Sequence, residues 1–188
     1  MGTRIFPFDV AVVDLETSGL KPSDSILQMA VITAGRSDTS EWCSYVRPKR
    51  VLTAHLGPTH IHGIRRRNLL LAPSLPTAMK RLASLTNGRV VVAHNAPFDV
   101  GFLRAAAETT GVRLDWTGVL CTLDLSRRLD PQRRKNHKLA SLCRDYGIVL
   151  DQAHDALHDS RATAELLGHL LGPNGIDSLE RARDYFLS

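Results

Sequence analysis

Four carboxylates and one histidine constrain this chain more tightly than its composition does: Asp14 and Glu16 in VVDLETSGL, Asp99 in AHNAPFD, and His154 and Asp159 in HDALHD. Such a set can hold two divalent cations and a base, provided that the fold brings three distant segments together. Two cations about 3.5 to 4 Å apart can activate a water on one side of a phosphorus and stabilise the leaving oxygen on the other. The pattern therefore points to phosphodiester chemistry and demands a scaffold that gathers these residues.

At 188 residues, 43% hydrophobic and 23% charged, the chain is expected to form one domain spanning residues 1–188 with a substantial core. The opening MGTRIFPFDV has no apolar run of signal-peptide length, and no stretch approaches the roughly 20 apolar residues of a membrane span. A cytoplasmic protein is expected. Cys43, Cys121 and Cys143 are odd in number and lack CxxC spacing, which argues against a disulfide framework or a thiolate zinc site. Buried, reduced cysteines are the simpler reading.

The net charge of +5 conceals a stronger asymmetry, because four of the 19 acidic residues belong to the candidate site. The remaining 15 face 24 basic residues, a balance that suits a polyanion, although a solvated basic surface would look the same. Two basic clusters stand out: Arg65 to Arg67, and Arg127, Arg128, Arg133, Arg134, Lys135 and Lys138.

The first half of the chain reads mostly as strands. Val10 to Val13 is short, apolar and β-branched, and Ile26 to Thr33 and Glu41 to Val46 flank the turn GRSDTS, so an antiparallel meander is expected. Ala78, Met79, Leu82 and Leu85 recur at helical spacing, and Arg89 to Ala93 gives a strand of the fully buried type. Thereafter helix and strand alternate: a helix from Pro97, a strand over Val119 to Leu123, an exposed basic loop over Asp130 to Asn136 and a helix from Leu139 stopped by Gly147. A helix over Leu157 to Leu171 and a short closing helix around Leu179, Ala182 and Phe186 complete the order. The expected class is α/β, with helices on both faces of one sheet.

Asp14 and Glu16 lie two residues apart, so on a strand they point to one face and can grip one ion together. Two acids closing a strand before a turn would show the same spacing. Asp99 falls in the first turn of its helix, where free N–H groups favour a carboxylate even without metal. Asn95 and Phe98 beside it suit a sugar-phosphate and a base, although Phe98 could equally belong to the core. His154 and Asp159 are five residues apart, about 140° on an ideal helix, so the histidine must come from the preceding loop, with Asp155 as a plausible N-cap. A neutral imidazole there can take a proton from the attacking water. Pairing His154 with His158 as zinc ligands lacks an HExxH pattern and supporting thiols.

Taken together, these motifs resemble the DEDDh branch of the DEDD 3′ to 5′ exonucleases, the DnaQ-like group that includes the proofreading epsilon subunit of bacterial DNA polymerase III. VVDLETSGL is similar to the first exonuclease motif, ILQMAVI and IHGI to its downstream strand and loop, AHNAPFDVGFL to the second motif and HDALHDSRATAELL to the third. CTLDLSRRL and HKLASLC resemble the connecting strand and helix. The resemblance implies a ribonuclease H-like fold, a mixed central β-sheet flanked by helices on both faces. It further implies that Asp14 bridges two metals, Glu16 and Asp159 hold the metal carrying the nucleophilic water, Asp99 supports the second and His154 is the general base. Thr17, Ser18, Gly19 and Leu20, with Phe98, would seat the terminal nucleotide, and Asn95 and His62 would be supporting contacts. Two Mg²⁺ ions are implied, with Mn²⁺ as a substitute, in keeping with hard oxygen ligands.

The expected activity is removal of nucleoside monophosphates from the 3′ ends of single-stranded or frayed DNA. The same chemistry on short RNA or RNA ends, and a non-catalytic nucleic-acid-binding module, are the alternatives; no motif specifies contacts to a 2′-hydroxyl. Expected partners are single-stranded DNA or RNA 3′ ends and no membrane. RRRNLLLAP is more basic and apolar than the family's usual stretch, and no epsilon-like tethering tail or clamp-binding peptide follows the last helix. Any polymerase association is thus expected through the folded surface.

Overall fold

The computed structural model describes residues 6–35, 39–151 and 154–187. Its first three strands are β1 (Val10–Thr17), β2 (Ile26–Ala34) and β3 (Thr39–Tyr45), followed by the short helices α1 (Thr59–His62) and α2 (Arg66–Leu69). Then come α3 (Leu75–Thr86), β4 (Val90–Ala93), α4 (Ala96–Thr110), β5 (Gly118–Cys121) and α5 (Thr122–Arg128), and finally α6 (Leu139–Tyr146), α7 (Ala156–Leu171) and α8 (Leu179–Arg183).

The strands form one mixed sheet in the order β3-β2-β1-β4-β5. The pairs β1–β2 and β2–β3 are antiparallel, as the short connections require, whereas β1–β4 and β4–β5 are parallel and joined through helices. Helices cover both faces, in agreement with the expected class. On one face Val10 and Val12 of β1 meet Ala162, Leu166, Leu167 and Leu170 of α7. On the other, Ala11 and Val13 meet Met79 and Leu82 of α3 and Phe102 and Leu103 of α4. All nine residues of β2 are buried, because this strand is sandwiched between those layers.

The alternation of β1 decides where the candidate site lies. Asp14 and Glu16 have the parity of Val10 and Val12, so they continue the α7 face beyond the apolar core. β1 is where the sheet changes from an antiparallel neighbour, β2, to a parallel one, β4; it runs on past Val12, where its pairing with β4 ends, and β4 stops just before α4. In open α/β sheets the crevice at such a switch point is where ligands bind.

Several elements depart from the sequence-based expectation. The strand expected to reach Leu123 stops at Cys121, and residues from Thr122 form α5. The Thr122 hydroxyl, within 3.4 Å of the Ala93 carbonyl and 3.0 Å of His94 Nδ1, fixes this turn from strand to helix against the end of β4. The helices α1 and α2 are also additional. Cys43 is only half-buried, whereas Cys121 and Cys143 are buried, and all three are free. Part of the turn expected in GRSDTS lies outside the described residues. No helix among the described residues is long and apolar enough to cross a membrane.

Candidate active site

Asp155 begins α7 as its N-cap, accepting hydrogen bonds from the N–H groups of Leu157 (3.1 Å) and His158 (3.3 Å) through Oδ1. The cap places Asp159 one turn into the helix and leaves His154 outside it, exposed and in the left-handed region at φ 68°. A histidine held there is an uncommon backbone state, of the kind that clusters at functional sites. Its N–H donates to Asp159 Oδ2 at 3.1 Å, tying loop to helix. Glu16, His154 and Asp159 bring one ligand atom each within 4.8 Å of one another.

Asp159 Oδ1 is buried without a hydrogen-bond partner among the described residues. An orphaned carboxylate oxygen facing other acids fits a cation seat. The electrostatics agree. Burial, then the neighbouring charges of Asp99, Asp159, Glu16 and Asp155, hold the Asp14 carboxyl well above the usual range. Glu16 is pushed up to about 8, first by burial and then by Asp159, Asp155 and Asp99. Asp99 is also pushed up to about 8 by burial, against hydrogen bonds from its own N–H and that of Leu15. Burial raises Asp159 as well, despite the bond from His154. Groups this close cannot all be ionised without cations between them.

Asp99 is 3% exposed, and its bond to the Leu15 N–H fastens the start of α4 to β1. Phe98 packs against Phe102, with ring centroids 4.9 Å apart, yet remains half-buried. Asn95 precedes α4 in the left-handed region at φ 64° and is exposed. Leu20, just after β1, is 84% exposed.

The segment after β1 is held in shape by its own polar groups. Thr17 Oγ1 donates to the Gly19 carbonyl (2.7 Å), Ser18 N–H to the Ser25 carbonyl (2.8 Å) and Ser25 N–H to Ser18 Oγ (2.9 Å). Gly57, at φ 69°, lets the neighbouring loop approach so closely that a Cβ there would meet the Ser18 carbonyl. Beyond that loop His62, the last residue of α1, is buried: Nδ1 accepts from the Ile64 N–H (3.0 Å), so Nε2 carries the proton and donates to the Leu56 carbonyl (2.9 Å). Both ring nitrogens are therefore engaged by the chain's own backbone.

Gln28 belongs to no motif that the sequence displays, although a glutamine within ILQMAVITA is its signal. Opposite Glu16 in the sheet and 4% exposed, it donates through Nε2 to Asp155 Oδ2 (3.2 Å) and Cys43 Sγ (3.3 Å). Its Oε1 accepts from the Ala156 N–H (3.4 Å), so β2 holds the cap of the helix that carries Asp159. Gln28→Leu should cost about 1–3 kcal/mol by stranding those partners. A denaturant midpoint would show it, with kcat falling more than KM rises if the His154–Asp159 segment shifts. Arg161 anchors the same helix to β3 through a two-pronged pair with Glu41, the shorter contact being 2.6 Å.

The mixed sheet, its two helical layers and the acidic switch point define a ribonuclease H-like nuclease domain. The chain belongs to the RNase T exonuclease family, whose profile matches residues 11–167, and the DnaQ-like resemblance of its motifs is borne out. It is 32% identical over 186 residues to a bifunctional exonuclease/endonuclease protein of Mycobacterium tuberculosis, covering 93% of this chain and 28% of that relative. A PolC-type DNA polymerase III of Bacillus subtilis is 34% identical over 163 residues, covering 85% of this chain and 11% of the polymerase. The chain thus spans under a third of the length of these curated relatives. E. coli exonuclease I, solved with a dT13 oligonucleotide, shares the fold with a TM-score of 0.75 at 21% identity, covering 95% of this chain and 43% of that one.

Proposed function

We propose that this chain is a metal-dependent 3′ to 5′ exonuclease that releases nucleoside monophosphates from single-stranded or frayed DNA ends, residues 1–188 acting as one domain. The observation that carries this reading is the convergence of Glu16, His154 and Asp159 within 4.8 Å beside the half-buried Asp14 and the buried Asp99. Asp14, Glu16, Asp99 and Asp159 would hold two Mg²⁺, or Mn²⁺ in their place. The metals would supply charge stabilisation for the phosphoryl group and an acidified water.

The remaining chemistry belongs to the chain. His154, exposed at the mouth and oriented by its N–H bond to Asp159, accepts the proton of the attacking water. Leu20 and Phe98 clasp the terminal base from two sides, and the Thr17–Ser18–Gly19 backbone seats its sugar-phosphate, with Asn95 beside it. His62 contributes by shaping the loop behind Ser18, since its ring is already committed. A cytoplasmic setting is part of the proposal, supported by the three free cysteines. The names of the DNA polymerase III relative and of the oligonucleotide-bound exonuclease I support DNA as substrate, and the former supports a polymerase as a partner.

The test is chromatography of the products from matched DNA and RNA strands. Mononucleotides and a faster rate on DNA are expected, whereas longer fragments would overturn exonucleolytic action. His154→Ala should lower kcat by about 10²–10⁴-fold. A variant as fast as the native chain would assign the base elsewhere.

A further inference from the structure

The basic connection between α5 and α6 is polar in sequence yet fastened at several points. His137, 8% exposed, has Nδ1 2.8 Å from the Ser126 hydroxyl of α5 and Nε2 3.3 Å from Asp130 Oδ2. The same Asp130 oxygen accepts from the Lys135 N–H (2.9 Å), and Asn136 Oδ1 accepts from the Lys138 N–H (2.9 Å). Arg133 takes the left-handed conformation at φ 50°. At the other side His94, in the junction between β4 and α4, bonds the Thr122 hydroxyl and the backbone of His137. The connection is thereby tied both to α5 and to the segment that leads into Phe98 and Asp99.

Between this connection and the start of α4 lies an open groove of about 580 Å³, its lining including Asn95, Arg127, Arg133, Lys135 and Lys138. Through Arg127 and Arg133 it continues into a hollow of about 330 Å³, where Arg128 lies over the Tyr185 ring at 4.9 Å. Arg127 is paired with Asp124 at 3.7 Å. Arg133, Lys135 and Lys138 have no ion-pair partner among the described residues. A row of uncompensated cations held in a fixed groove suits successive phosphates rather than base edges.

We infer that this groove takes the sugar-phosphate backbone of the strand being degraded, upstream of its terminal nucleotide. The inference rests on the nuclease reading above. Asn95 in its lining stands three residues before the Phe98 that would grip the end, so one strand can occupy both.

The test is anisotropy of a fluorescent thymidine oligonucleotide of about 12 residues, a length on the scale of one single-strand site, with chelator to prevent cleavage. The full chain is compared with Arg133→Ala/Lys135→Ala and with a charge-matched control on exposed α3 residues, Lys80→Ala/Arg81→Ala. The groove variant should bind about 10-fold more weakly, and its log–log salt slope should fall by about 1.4, roughly 0.7 for each phosphate no longer neutralised. The control should stay within about 2-fold. Asp130→Ala adds net positive charge and would strengthen purely diffuse attraction, but it should weaken binding here because it releases the groove wall. Equal losses in the groove and control variants, no loss in either, or tighter binding by Asp130→Ala would overturn the inference. Dinucleotide hydrolysis by the native chain is read separately, with metal. No hydrolysis by the native chain would sink the nuclease reading alone.

Discussion

Replacing Asp14 with asparagine is expected to abolish turnover and, without metal, to make the fold more stable. The two effects share one cause. Asp14 lies where the charges of Asp99, Asp159, Glu16 and Asp155 converge, and burial denies it water. An amide of the same shape removes the charge that burial and repulsion oppose, but it also removes a carboxylate of the proposed metal-ligand set. The rate should fall by at least about 10²–10³-fold, the scale for loss of one preorganised electrostatic group. The melting temperature in chelator should rise, each kcal/mol gained being worth about 2–4 °C for a chain of this size. Such a trade of stability for activity is expected where a site holds like charges together. An active Asp14→Asn protein would refute the proposed ligand set, and a metal-free variant no more stable than the native chain would refute the electrostatic argument.

The second large effect concerns pH. Acidic residues usually stabilise a fold as they ionise, but here the sign is reversed. Glu16 and Asp99 titrate at about 8 in the fold, against about 4 in an unfolded chain. Between those values the native state retains protons that the unfolded state has released. Metal-free stability should therefore be full below about pH 4 as regards these groups and decline as pH rises toward about 8. The slope is up to about 1.4 kcal/mol per pH unit for each extra proton retained. Mg²⁺ bound as proposed would stabilise the ionised forms and displace those protons, so its thermal shift should grow steeply between about pH 5.5 and 8. Melting curves with and without Mg²⁺ across that range check the claim. A shift independent of pH would contradict it.

The parts of the site governed by local periodicity were legible in the sequence. Strand parity placed Asp14 and Glu16 on one face, and helical geometry put His154 in the loop before Asp159, as found. Features set by distant packing were not. Alternating Val119, Cys121 and Leu123 look like one strand, yet the Thr122 contacts to Ala93 and His94 turn the chain into α5. Gln28 reads as a blemish in an apolar strand until Asp155 and Ala156 arrive from more than a hundred residues away. The cluster from Arg127 to Lys138 was visible as charge alone. Its groove depends on Ser126, Asp130 and His137 closing on one another, which no pattern in that segment announces.

The most direct test of the central claim uses one DNA strand labelled in turn at its 3′ and 5′ ends, incubated with Mg²⁺ or chelator beside Asp14→Asn. The account expects immediate release of labelled mononucleotide from the 3′-labelled strand and a descending ladder from the 5′-labelled strand. Both should require Mg²⁺ and native Asp14. Shortening that begins at the 5′ end, or trimming that persists in chelator, would contradict it.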